Sequence, residues 1–139
     1  MSFLLDTNMV SEWVKTHPNP GVVRWLEEVD EDEVFLSVVT LAEVRYGIDR
    51  MPHGKRRQLL EQWLEQELAI RFEGRWLGIS PVVADRCGRL LARSAAAGRQ
   101  LEVMDAFLAA TAEEHGLALV TRNVTHFERV VSSVVNPWT

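Results

Sequence analysis

The chain has 139 residues, 47% of them apolar and 25% charged, a balance that fits one globular domain with a substantial hydrophobic core. Its 15 Lys and Arg against 20 Asp and Glu leave a formal charge of −5, which excludes a protein that coats nucleic acid non-specifically; any nucleic-acid role must rest on a local site. No apolar run approaches the roughly 18–20 residues of a membrane span, no basic-then-apolar leader opens the chain, and the lone Cys87 excludes an internal disulfide or a cysteine-rich zinc site. The expectation is a cytoplasmic protein folded as a single domain over residues 1–139.

Phe3-Leu4-Leu5 is a short apolar run without alternation, the pattern of a strand buried on both faces, and Asp6 ends it abruptly. Thr7 to Lys15 then carries Met9, Val10, Trp13 and Val14 at helical spacing, with Ser11 and Glu12 on the opposite, polar side. A His17-to-Gly21 turn leads into a second helix marked by Val22, Val23, Trp25, Leu26 and Val29, and the acidic run Asp30 to Glu33 reads as a solvated connection.

Val34 to Val39 is the second buried strand, and Thr40-Leu41-Ala42-Glu43 opens a helix that breaks at Met51 to Gly54. Lys55 to Ile70 repeats Leu59, Leu60, Trp63, Leu64 and Leu68 at intervals of three and four, an amphipathic helix whose Trp63 is expected in packing. Arg75 to Ile79 is a short strand. Ser80-Pro81 reads as an N-cap followed by Pro at the first helical position, and that helix runs to Gly98. A helix from Val103 to His115 is rich in alanine, which lets it lie close against a sheet. Leu117 to Val120 is a buried strand closed by Thr121-Arg122-Asn123, and Val134-Val135 is the last strand. The fold class is α/β: a central parallel sheet with helices on both faces.

Parallel strands end at one edge, where open α/β sheets bind ligands. Asp6, Glu43, Asp105 and Asn123 are all expected there. Each has a plain structural use. Asp6 caps a helix, Thr40 and Glu43 make a capping box, Asp105 complements a helix dipole, and Asn123 makes an Asx turn. Three carboxylates in one place repel one another, however, and a hard divalent cation, Mg²⁺ or Mn²⁺, resolves that repulsion.

Leu5-Asp6-Thr7-Asn8, the Ser37-to-Glu43 segment, Asp105 within Met104-to-Ala112, and Thr121-Arg122-Asn123 resemble, in that order, the signature of PIN-domain ribonuclease toxins of the VapC family. Asn136-Pro137-Trp138 is similar to the ending of its FitB-like branch. The resemblance covers essentially the whole chain. It implies a PIN-like fold and a metal-dependent endoribonuclease that is the toxin of a toxin–antitoxin pair. The implied assembly is a homodimer that joins a small DNA-binding antitoxin in a hetero-oligomer. By motif position Asp6, Glu43 and Asp105 are the implied metal ligands, with Asn123 completing the catalytic set. Thr7, Asn8, Thr121 and Arg122 are candidate substrate contacts.

The sequence departs from the family at Asn123, where many relatives carry Asp, and at His126, where an acidic residue is common; one ion is therefore expected, not two. Arg86, Arg89 and Arg93 fall on one helical stripe, and Lys55, Arg56 and Arg57 cluster at a helix start; both read as solvated faces. A phosphatase of the Asp-x-Asp kind would need a second carboxylate where Asn8 stands. A phosphoacceptor domain would want a Lys at the sheet edge, and none follows Lys55. A non-catalytic protein that binds metal or a partner is the remaining alternative.

Overall fold

The computed structural model describes residues 1–139. Five strands form one all-parallel sheet: β1 (Phe3–Leu5), β2 (Val34–Ser37), β3 (Trp76–Leu77), β4 (Ala118–Val120) and β5 (Val134–Val135), in the order β3-β2-β1-β4-β5. The helices are α1 (Thr7–Glu12), α2 (Pro20–Glu28), α3 (Val38–Asp49), α4 (Lys55–Gln62), α5 (Ala69–Arg71), α6 (Pro81–Ala96), α7 (Val103–His115) and α8 (Val124–Phe127). None is long and apolar enough to cross a membrane.

Period-two alternation explains how a three-residue strand can organise the chain. Leu4 faces a core built mainly with α6 and α7, and its neighbour Leu5 faces a second core built with α1, α2, α3 and the helix after Lys55. Both side chains are fully buried. β1 pairs Leu4 with Phe35 on one side and with Leu119 on the other. Chain order therefore reverses between β1 and β4, which is the switch point where open α/β sheets form a crevice beyond the strand ends. The edge strands β3 and β5 have two residues each and offer little unpaired backbone.

Several boundaries differ from the sequence reading. Val38 and Val39 belong to α3, not to β2, because the buried Ser37 hydroxyl accepts the Val39 N–H at 3.0 Å and caps the helix three residues early. Thr40 and Glu43 consequently make no capping box: both lie inside α3, with Thr40 fully buried. The Lys55–Ile70 helix is α4 running through a π-helical turn, Trp63–Leu68, into α5; Leu64 and Leu68 enter the core and Trp63 packs against it. The third strand keeps only Trp76 and Leu77 of the five residues expected, and the fourth begins at Ala118.

The acidic run is a 3₁₀ turn, Glu31–Glu33, and is anchored: Glu31 accepts from Arg71 at 2.8 Å, and Glu33 pairs with the Ser2 hydroxyl. Glu12, expected on the polar side of its helix, is only 3% exposed. It accepts the Asn19 N–H at 2.8 Å and pairs with Lys15, so it serves as the bracket for the turn into α2.

α7 lies flat on the sheet through its buried Ala106, Ala109, Ala110 and Ala112, and it ends at Gly116 with φ 63°, a left-handed cap that suits glycine. The last residues fold back over α2. The Asn19 amide donates to the Thr139 carbonyl at 3.1 Å, and a Cβ on Gly21 would lie 2.2 Å from the Pro137 carbonyl oxygen.

Candidate active site

Asp6 is the best-defined residue of the crevice. Its N–H donates to the Val120 carbonyl at 2.9 Å, extending the β1–β4 ladder one residue past the strand, and its side chain is 5% exposed. One carboxylate oxygen accepts the Thr7 N–H at 2.7 Å, so Asp6 does cap α1. The other accepts the Thr121 hydroxyl at 2.7 Å and the Asn8 amide at 3.2 Å. Capping and a place in the cleft are thus one arrangement.

Glu43 reaches the same place from one and a half turns into α3. Its carboxylate accepts the Thr7 hydroxyl at 2.6 Å, and the Thr7 and Thr40 hydroxyls lie 3.2 Å apart. Thr7 therefore connects the cap of α1 to the acid on α3. Asp105 enters from the first turn of α7, with the His126 Nδ1 at 3.8 Å from its carboxylate. Asn123 stands at the start of α8 but makes no Asx turn. Its N–H donates to the Thr121 hydroxyl at 3.0 Å, so the turn is made by the threonine side chain.

These groups border a cleft of about 410 Å³, and Leu101 is the one apolar residue in its lining. Asp6, Glu43, Asp105, Asn123, Thr7 and Asn8 all line it. Thr121 lies fully buried beneath Asp6, and Arg122 stacks its guanidinium 5.6 Å from the Trp138 ring, apart from the cleft lining. Glu102 and His126 line the cleft with the predicted residues. Glu102 had a legible signal, since it precedes Asp105 by three positions, the spacing that puts two side chains on one helical face.

The electrostatics follow from this crowding. Burial, the Asp6 charge and the Glu102 charge push the Asp105 carboxyl up to about 6, against which the nearby His126 pulls down. Glu43 is raised by burial and by Asp6 and Glu102, partly offset by the Thr7 hydroxyl. Burial also raises Asp6, despite its hydrogen bonds from Thr121 and Thr7. The Asn8 side-chain oxygen is buried without a partner. No three acidic or histidine side chains close on one point as a finished ligand shell. Nonetheless the donor set suits a hard divalent ion. It consists of carboxylate oxygens that repel one another in a polar cleft, and Mg²⁺ retains several waters of its own.

A parallel sheet with an acidic cleft at its switch point defines a class of α/β protein suited to a hard cation and a phosphate ester. The chain belongs to the PIN-domain family, whose model matches residues 3–132. It is 40% identical to the plasmid stability protein StbB of Pseudomonas syringae pv. tomato and 36% identical to the toxin FitB of Neisseria gonorrhoeae, in both cases over 97% of each chain. It is 34% identical to the VapC ribonuclease Y4jK of Sinorhizobium fredii, over 97% of this chain and 96% of that one. Among solved structures it superposes on FitAcB from N. gonorrhoeae with a TM-score of 0.91 at 35% identity, covering 98% of both chains. On FitAB bound to the IR36 DNA fragment the TM-score is 0.92 at 34% identity, covering 99% of this chain and 96% of that one. The parallel sheet and flanking helices read from the sequence are those of this family.

Proposed function

We propose that this chain is a divalent-metal-dependent endoribonuclease and the toxin half of a toxin–antitoxin pair. The observation that carries the reading is the convergence of Asp6, Glu43 and Asp105 on one polar cleft, in a chain alike over nearly its whole length to a VapC ribonuclease and to FitB. The relatives solved as FitAcB and as FitAB bound to a DNA fragment support a protein partner and a DNA-bound complex; the partner that the family resemblance implies is a small DNA-binding antitoxin, joined by a homodimer of this chain. Residues 1–139 act as one catalytic unit in the cytoplasm.

Asp6, Glu43 and Asp105 would hold Mg²⁺ or Mn²⁺, which when bound would supply Lewis acidity toward the phosphodiester and a water of lowered pKa. The chain's own residues set the rest. Thr121, Thr7 and Asn8 fix the Asp6 carboxylate through hydrogen bonds, so that it does not reorganise as charge builds on the phosphate. Thr7 holds Glu43 in the same frame. Asn123 offers the cleft a neutral carbonyl or amide, which favours one tightly held ion. Attack of water on phosphorus with departure of the 3′ oxygen leaves 5′-phosphate and 3′-hydroxyl ends, and His126 is the one imidazole lining the cleft.

Asn123 and His126 in place of acids also support a second reading, a catalytically weak protein that binds metal and its partner. One experiment separates the two. Wild type and Asp6→Asn are induced in a bacterial host and new 5′-phosphate RNA ends are mapped. Discrete ends and growth arrest with wild type alone are expected; the same ends and growth with both proteins would overturn the ribonuclease reading. The phosphatase alternative lacks its second carboxylate, since Asn8 stands in that position and donates its amide to Asp6.

A further inference from the structure

Outside the cleft, a second hollow of about 430 Å³ is lined by Arg86, Arg93, Arg99 and Arg129 together with Ser94 and Glu113. Six of the chain's 13 arginines pair with carboxylates, and of the seven that do not, three line this one hollow. Arg45, Arg57, Arg71, Arg75 and Arg89 are all paired, and Arg86 pairs with Glu114 at 3.0 Å. Arg93, Arg99 and Arg129 pair with none. Glu113, the one acid lining the hollow, forms no ion pair with them; its carboxylate accepts the Ser132 hydroxyl at 3.0 Å and the Ser132 N–H. Three unpaired guanidinium groups against one carboxylate leave the hollow with an excess of positive charge, and the planar fork of arginine matches phosphate.

The hollow is joined to the cleft by three elements. Arg99 lines the hollow, while Gln100, Leu101 and Glu102, which follow it, line the cleft. Arg129 lines the hollow one helical turn after His126, which lines the cleft. Along α7, Asp105 of the cleft and Glu113 of the hollow are about 12 Å apart at the rise of an α-helix. A chain of phosphates leaving the cleft over the loop after α6 therefore meets these arginines within a few nucleotides.

We propose that Arg93, Arg99 and Arg129 form a subsite that grips the backbone of the RNA substrate outside the scissile position. This rests on the ribonuclease reading for its substrate. It also resolves a difficulty of that reading: a protein of charge −5 with an acidic cleft repels RNA at long range, and a concentrated patch of unpaired arginine beside the cleft supplies the attraction. Because the contacts go to phosphate, the subsite adds affinity and orientation and leaves base choice to the cleft.

The test is binding of a short, mixed-sequence, fluorescein-labelled single-stranded RNA in EDTA, followed by anisotropy across a salt series. Wild type is compared with the triple variant Arg93→Gln, Arg99→Gln, Arg129→Gln. A control carries the same charge change at Arg24→Gln, Arg50→Gln and Lys55→Gln, outside the hollow. Loss of three phosphate contacts on a single strand should lower the slope of log affinity against log salt by about 2 and weaken binding roughly tenfold or more at low salt. The control should lose much less. Equal affinity and slope in the triple variant and the control overturn the subsite, as does wild type that binds no RNA. A change of oligomeric state confined to the triple variant, read by light scattering, also overturns it and assigns the hollow to contact between copies. Cleavage of the same RNA after Mg²⁺ or Mn²⁺ is added reports separately: a subsite signal without cleavage removes the ribonuclease reading and leaves the anion site.

Discussion

The Thr121 hydroxyl donates to the Asp6 carboxylate at 2.7 Å across 115 residues of chain, and both groups are buried. The residue that ends β4 thus holds the residue that ends β1, and the cleft lies over that bond. Thr121→Val preserves shape while removing the donor, leaving an under-satisfied carboxylate. Stability should fall by about 1–3 kcal/mol and RNA cleavage by roughly tenfold or more. Thr121→Ser should restore most of both. Chemical denaturation and single-turnover cleavage check this, and full activity in the valine variant would show that Asp6 needs no such support.

Asp105 links stability to pH with a definite sign. Its carboxyl is pushed up from an ordinary 3.8 to about 6, so its contribution to stability is fully present below the ordinary value and is lost as pH rises through about 6. In EDTA, Asp105→Asn should therefore raise the melting temperature at pH 7.5 by about 2–4 °C, with little change at pH 4, while abolishing cleavage. An unchanged melting temperature at pH 7.5 would mean that the carboxylate is not crowded.

Added Mg²⁺ or Mn²⁺ should stabilise wild type most at neutral pH, and the effect should fade as pH falls below about 6 and protons compete for the same oxygens. Thermal unfolding with and without metal at several pH values is sufficient. A metal shift of equal size at pH 5 and pH 7.5 would place the ion elsewhere.

Glu102 raises both Asp105 and Glu43 by its charge. Glu102→Gln should weaken Mn²⁺ binding by roughly tenfold and move the acid limb of the cleavage profile to lower pH. Calorimetric titration of Mn²⁺ and a pH–rate profile test the two effects independently.

Gly21→Ala should destabilise by about 1–3 kcal/mol, because its new methyl would meet the Pro137 carbonyl oxygen. Removing residues 137–139 should cost stability alone yet lessen the effect of the Gly21 substitution, a non-additivity expected of groups in contact. Additive losses in the double variant would show that the two segments do not touch.

The sheet and its layers were legible because Leu4-Leu5, Val34-to-Leu36 and Ala118-to-Val120 are apolar without alternation, and the helices between them keep a clean period. The start of α3 was not, since Val38 and Val39 are strand formers by type and only the tertiary burial of Ser37 turns them into a first helical turn. The short helix α8 was missed because its four residues are too few to show a period. Asp6 and Asp105 were legible as a strand-end and a first-turn acid, whereas Glu43, read as opening its helix, lies one and a half turns inside α3. The unpaired arginines were harder to see, because their significance lies in which charges fail to meet. Arg122 looked suited to phosphate from its neighbours in sequence, but a Trp ring contributed by the last residues of the chain holds it.

The middle of the sheet closes late in the chain. β1 is among the first segments made and can pair with β2 early, but its other edge waits for β4, which starts at residue 118. Until that long loop closes, Asp6 lacks its Thr121 donor, and α7 has not yet been laid across the gap. Chain order therefore acts as a safety catch: a growing chain that ends before residue 118 carries the first two acids and still no cutting edge. Activity should arise in a single late step, after much of the polypeptide is already folded.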